Sequence, residues 1–298
     1  MPTDRSLSEK KLGLIMVVPA LTLMALIAAY PVLKAFWLSL HRYNVKVPND
    51  AAFIGFDNYV RIFASGHWWA AVTTTVVFTV GSVAIEFALG LAMALVMNRA
   101  FGGWTGMIRV AVLIPWATIT VVTALAWKWI FTPGLTLSVF ESIFGIFADD
   151  ACVLCGRFTA MSAMIFADCW KTAPFIALLL LAGLQSIDGE MYEAADVDGA
   201  SSWTKFMQIT LPCLKPAILV AVLFRTLDAF RMFDLAYVMT GGANGTETAS
   251  LLAYDQLIKR LNMGLGSAMS VLIFLMVLGI ALLFTKVLGA QLSDEGAH

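Results

Sequence analysis

Six stretches of the chain stay apolar for about 20 residues or more, the length a helix needs to cross roughly 30 Å of hydrocarbon. They lie at 12–40, 70–97, 110–131, 159–184, 216–240 and 266–288. Such runs predict helices, because lipid offers no partner to a bare backbone N–H or C=O. Arg5, Lys10 and Lys11 precede the first run as they would a secretory leader. Its apolar part is much longer than the roughly 7–15 residues of a leader core, and further runs follow, so it reads as a retained span. Polar segments 41–69, 98–109, 132–158, 185–215 and 241–265 join the spans, none of them long enough for a separate domain. Residues 1–11 and 289–298 read as short flanks, which an even number of spans places on one side.

Composition agrees with that pattern. Of 298 residues 60% are hydrophobic and 13% charged, with a mean hydropathy of +0.84. Soluble domains average about 45–50% apolar and about 25% charged, so a soluble cytosolic enzyme is excluded. Nineteen basic against 20 acidic residues leave a formal charge of −1, with no polybasic or polyacidic surface for nucleic acid. Four cysteines and three scattered histidines make neither a disulfide scaffold nor a metal cage. With the flanks inside, cytoplasmic segments hold eight Lys and Arg and outer segments six. The short 98–109 loop, with Arg99 and Arg109, weighs most toward that orientation.

The segment 185–215 is the polar outlier. Residues 190–197 carry strong helix formers with acidic residues near the start. Gly199 then offers a break where φ > 0 is expected. Ser201 or Ser202 can cap a second short helix that carries Trp203 and Phe206 on one face and ends at Pro212. Two short helices hinged at glycine are therefore expected between the fourth and fifth spans, with Ala194 and Ala195 allowing another surface close to the backbone.

The order Glu193-Ala194-Ala195, three residues, Gly199, nine residues, Ile209, one residue, Leu211-Pro212 resembles the EAA loop of binding-protein-dependent ABC importer permeases. Trp170-x3-Pro174-Phe175, Leu181 to Gln185, Phe53 to Tyr59 and Phe233-Asp234-x2-Tyr237-x2-Thr240-Gly241-Gly242 are similar to its carbohydrate branch. Two positions depart from the pattern: Asp188 and Ala243 stand where proline is usual. The resemblance implies an all-α membrane protein of the type I ABC importer permease fold, six transmembrane helices with a cytoplasmic coupling helix in loop 186–213. Glu193, Ala194, Ala195 and Gly199, flanked by Asp198 and Ala200, would dock into an ATPase groove. It further implies a bacterial inner-membrane subunit, multi-pass with both termini cytoplasmic. The implied partners are a second, non-identical permease, two copies of an ABC ATPase that use ATP and Mg, and an extracytoplasmic sugar-binding protein. The chain has no Gly-x4-Gly-Lys-Ser/Thr phosphate loop, so it is expected to bind no cofactor of its own and to be a permease, not an enzyme. A disaccharide such as trehalose or maltose is the leading cargo; an oligosaccharide or glycerol phosphate follows.

Charges within the spans mark function by default, because each costs roughly 2.5–3.5 kcal/mol on insertion scales. Asp168 and Lys171, three apart, are expected to share a helical face and neutralise each other, either locking helices or touching substrate. Glu86 stands alone on the second span and is expected to hydrogen-bond a neighbouring helix. On the fifth span Arg225, Asp228, Arg231 and Asp234 recur every third residue. At about 100° per residue, Phe233, Asp234 and Tyr237 fall within about 60° of Phe230, Arg231 at about 100°, and Asp228 and Arg225 on the far side. The first four suit a sugar face, rings on C–H surfaces and carboxylate on hydroxyls, or else a packing face toward a partner subunit. Arg231 is expected to orient Asp234, and Arg225 to pair with Asp228. A secondary transporter or channel relaying through Glu86, Asp168 and Lys171 is the main alternative; a membrane-embedded enzyme lacks clustered catalytic groups. Cys152-x2-Cys155 reads equally as a local disulfide or a free pair.

Overall fold

The computed structural model describes residues 9–99, 104–132 and 152–295. The outer parts of the expected flanks and most of the segment after the third span lie outside these. The described chain is helical apart from one small hairpin. It divides into two compact units, 1–65 with 253–272, and 66–252 with 273–298.

The first unit begins with helix α1 (Glu9–Ser39), which is exposed over residues 13–34 and buried at Ser39. Strands β1 (His41–Arg42) and β2 (Ala52–Phe53) follow, antiparallel with His41 opposite Phe53, and then α2 (Asp57–Phe63). The carbohydrate-type run 53–59 serves this turn. Buried Asn58 donates through Nδ2 to the carbonyls of Ser39 (2.8 Å) and His41 (3.0 Å), so it ties the end of α1 to the hairpin.

The second unit is built around α3 (Gly66–Asn98) and α6 (Arg157–Gln185), of which α6 is the most enclosed candidate span. Within a bilayer, close packing depends on small residues rather than on expelling water. Gly90 shows this: a Cβ there would lie 2.6 Å from Ile176 of α6. Ala94, Met97, Ile176, Ala177, Leu180, Leu184, Leu214 and Ala221 form one core between α3, α6 and α9 (Leu211–Phe230).

Three expected elements differ. The run 110–131 is not one straight helix. It is α4 (Thr105–Ala117) and α5 (Thr120–Phe131), bent by 85°. Pro115 removes one ladder hydrogen bond and crowds the preceding turn. Thr118 and Ile119 are extended, and the Thr118 hydroxyl donates to the Pro115 carbonyl at 2.6 Å. Secondly, Pro212 does not end the short helix after Ser201. Helix α8 (Ser202–Lys205) continues through a π turn at Phe206–Thr210 into α9, where Pro212 sits in the first turn and needs no donor. Thirdly, the fifth span stops as a regular helix at Phe230 and resumes at Asp234, with a π turn at Ala236–Thr240. The Met232 carbonyl, freed by this break, accepts from Thr248 Oγ1 at 3.1 Å, which no local periodicity announces. The last described helix is α10 (Met263–Glu295), which runs on into the flank expected at 289–298.

Candidate functional site

Three helices each contribute one charge to a buried cluster. Glu86 comes from α3, Asp168 from α6 and Arg225 from α9, and all are buried. Arg225 grips Glu86 with two nitrogens, Nε to Oε2 at 2.5 Å and Nη2 to Oε1 at 2.8 Å. Its Nη2 also donates to Asp168 Oδ2 at 2.5 Å, and Nη1 to Asp228 Oδ2 at 2.6 Å. Thr172 Oγ1 donates to Glu86 Oε1 (2.5 Å), and the Ser82 hydroxyl lies within bonding distance of both carboxylates (2.9 and 2.5 Å). A guanidinium suits this place because its planar fork presents several donors at once, which an ammonium does not.

The expected hydrogen bonding of Glu86 to a neighbouring helix is present, from Thr172 and Arg225. One expectation is corrected, since Asp168 is neutralised by Arg225 rather than by Lys171. Lys171 instead donates to Thr120 Oγ1 at 2.7 Å. Sequence separation hid the true pairs: Glu86 and Arg225 are 139 residues apart. The expected Arg225–Asp228 pair is present, with Asp228 largely exposed.

A cleft of about 280 Å³ opens beside the cluster, and Lys171, Arg225, Arg231, Asp168, Asp228 and Asp234 supply its charged lining. Three formal positive and three formal negative charges cancel. Phe233 also lines it, and its ring stacks on Tyr237 with centroids 5.3 Å apart and planes 17° apart. The expected four-residue face does not survive, because the helix breaks between Phe230 and Asp234. Phe230 is 5% exposed and packs inward, while Phe233, Asp234 and Tyr237 keep accessible surface. Arg231 does not orient Asp234 either; its Nε donates to the Leu227 carbonyl at 3.3 Å. Aromatic surface that the wheel did not include lies on α5 and α6, where Trp127 meets Phe166 and Trp170 edge-on.

The loop 186–213 folds as two helices around a glycine corner. Asp188, where proline is usual, caps α7 (Gly189–Val197) by accepting from the Glu190 amide at 3.1 Å. At the far end Gly199 N–H donates to Asp196 O and Ala200 N–H to Ala195 O, the paired bonds of a Schellman corner, with φ +73° at Gly199. Ser201 caps α8 through the Thr204 amide, and Lys205 Nζ reaches Asp196 at 2.6 Å across the corner. Glu193, Ala194 and Asp198 are exposed, and Ala195 and Ala200 half-buried. A β-branched residue at 199 faces the left-handed cost of roughly 1–2 kcal/mol. Gly199→Val is therefore expected to speed amide exchange at Ala200 by about tenfold, with the surrounding spans unchanged; equal protection in both proteins would contradict the corner.

The sequence profile described as "Binding-protein-dependent transport system inner membrane component" matches residues 154–290. A trehalose transport system permease protein of Mycobacterium tuberculosis is 47% identical over 288 residues, 97% of this chain and 92% of that protein. A trehalose/maltose transport system permease protein of Thermococcus litoralis is 41% identical over 282 residues, 94% of each. A sulfoquinovosyl glycerol transport system permease protein of Agrobacterium fabrum is 35% identical over 291 residues, 95% of this chain and 92% of that one. Among solved structures, a chain of a bacterial ABC transporter involved in import of the acidic polysaccharide alginate superposes with a TM-score of 0.80 at 21% identity, covering 94% of this chain and 95% of that one.

Proposed function

The chain belongs to the family of binding-protein-dependent transport system inner membrane components, as a permease subunit of an ABC importer, and we propose that its cargo is a neutral sugar, a disaccharide of the trehalose or maltose kind. The cleft beside Arg225 carries this reading, because its six charged side chains cancel and an accessible aromatic pair stands next to them. Carboxylates accept from sugar hydroxyls, guanidinium and ammonium donate to them, and rings cover C–H faces; small-molecule sites combine such groups in this way. A phosphate-bearing cargo would want a surplus of cation. Here Arg225 is held by three carboxylates and Lys171 and Arg231 are set against Asp228 and Asp234 in one lining. The names of the Mycobacterium tuberculosis and Thermococcus litoralis relatives, for trehalose and for trehalose/maltose, support the same choice.

On this reading the power stroke comes from outside. Two copies of an ATPase, using ATP and Mg, seat the loop 186–213 from the cytoplasmic side, where both termini also lie. A second, non-identical permease completes the pathway, and an extracytoplasmic sugar-binding protein delivers the cargo. The exposed Glu193–Ala194 edge and the rigid Gly199 corner support the coupling role.

Proteoliposomes holding the co-purified complex test this directly. Radiolabelled trehalose or maltose should accumulate only with ATP and the loaded binding protein. Accumulation through this chain alone, driven by a proton gradient, would instead establish a secondary transporter working through Glu86, Asp168 and Lys171. Within the complex, Asp234→Asn is expected to raise the half-saturating sugar concentration about tenfold, since hydrogen bonds to charged groups contribute about 1.5–3 kcal/mol. Unchanged uptake in both Asp234→Asn and Phe233→Ala, at equal expression, would remove the cleft from the pathway.

A further inference from the structure

Helix α6 runs 29 residues from Arg157 to Gln185, about 43 Å at 1.5 Å per residue. Arg157 therefore stands a full membrane thickness from the coupling loop, at the opposite end of the unit. A second pocket, about 320 Å³, opens there between His67 and Thr74 of α3, Arg157, and Gly242, Gly245 and Glu247 of the 241–248 loop. Its wall is fixed. Thr74 Oγ1 donates to the Gly245 carbonyl at 3.2 Å, and Asn244 Nδ2 donates to the Leu154 carbonyl at 2.9 Å. That carbonyl belongs to the turn closed by the Cys152–Cys155 disulfide, the pairing that sequence spacing leaves open. Gly245 has φ +72°, and a Cβ on it would lie 3.2 Å from Arg157 Cδ, so the arginine stem lies flat on the loop only because 245 is glycine.

The two formal charges in this pocket, on Arg157 and Glu247, do not pair with each other. The Glu247 carboxylate is taken by His67 Nε2. Arg157 is exposed and has no hydrogen bond or ion pair to any described residue. Its neighbour Phe158 is 82% exposed. A positioned guanidinium with unused paired donors, walled by small residues, is a receptor for a carboxylate.

We propose that this pocket is the socket through which the permease recognises its extracytoplasmic binding protein, receiving an aspartate or glutamate side chain of that protein on Arg157. The proposal rests on the import reading above and adds the surface and the chemistry of contact. An exposed arginine–carboxylate contact steers encounter and sets salt dependence more than it slows departure, as a partner that docks and leaves in every cycle requires. Interfaces also concentrate arginine and aromatic residues, as Arg157 and Phe158 do here.

The test uses the complete complex in nanodiscs, made either of phosphatidylcholine alone or with added phosphatidylglycerol. ATPase activity is titrated with sugar-loaded binding protein. Arg157→Glu is expected to raise the half-saturating binding-protein concentration about tenfold and to flatten its dependence on salt. Basal rate and the rate at saturation should stay unchanged. Arg157→Lys should fall between, and an acid-to-lysine substitution in the binding protein should rescue Arg157→Glu. An unchanged half-saturating concentration in Arg157→Glu overturns the proposal. So does an effect seen only in phosphatidylglycerol discs and on the basal rate, which assigns the pocket to a lipid headgroup. If no binding protein stimulates even the unmodified complex, the import reading fails as well, a result distinct from a selective failure of Arg157→Glu.

Discussion

Arg225→Ala is expected to remove most of the folded permease from the membrane. The substitution leaves Glu86 and Asp168 facing each other with only hydroxyls between them, and their side chains are 0% and 9% exposed. Breaking a buried pair by deleting one partner costs about 3–5 kcal/mol, because the remaining charge has no solvent to return to. A whole domain holds only roughly 5–15 kcal/mol of net stability. Arg225→Lys should be intermediate, since it keeps the charge and loses the fork that spans two helices. The double change Glu86→Leu with Arg225→Met should cost less than the two single changes added together, by about 0.5–3 kcal/mol, because Arg225→Met alone strands buried Glu86, the carboxylate that the double change removes, while Asp168 loses its partner in both. Membrane yield and the thermal midpoint of the solubilised complex read all three. A midpoint for Arg225→Ala equal to that of the unmodified protein would show that the cluster does not hold α3, α6 and α9 together.

Trp203→Ala should leave the permease inserted and stable yet lower ATP-driven uptake by about thirtyfold. Trp203 is 66% exposed and Val197 89% exposed, with Met191 and Met207 also open, all within an otherwise charged loop. Apolar groups displayed on a rigid corner, where Lys205 bonds Asp196 and Tyr192 bonds Thr210, are the composition of a docking surface. Tryptophan is the side chain most often found to dominate such surfaces, at 2 kcal/mol or more, which corresponds to about thirtyfold in affinity. The ratio of ATPase to permease after co-purification should fall with uptake. The trehalose concentration that half-saturates residual uptake should stay the same, which separates this variant from Asp234→Asn. Full uptake with a normal subunit ratio would mean that the ATPase is seated elsewhere.

The residues differ in how readily their neighbours betray them. The Gly199 corner was legible because each of its bonds joins residues at most five apart, so the order Ala195-x3-Gly199-Ala200 already contains the geometry. The cap at Ser201 was legible for the same reason. The sugar face was only half legible. A wheel drawn through 225–240 assumes one continuous helix, and the break at Arg231–Phe233 returns Phe230 to the interior while leaving Phe233, Asp234 and Tyr237 accessible. The break depends on Thr248 meeting the Met232 carbonyl from 16 residues away. The 85° bend of the third span was not legible from apolar length alone; it follows Pro115 and is braced by the Thr118 bonds to the Pro115 carbonyl and to Thr123.

Order along the chain by itself decides which segments enter lipid, where the polar knob falls and how that knob turns, since those outcomes depend on apolar length and on partners within a turn or two. Which buried charges meet is another matter. Glu86, Asp168 and Arg225 lie on separate helices, and the close approach allowed by Gly90, Ala94 and Ala221 brings both carboxylates within 3 Å of the Arg225 guanidinium. In hydrocarbon an unpaired charge has nowhere cheaper to go, so the packing of helices chose the partners that periodicity could not.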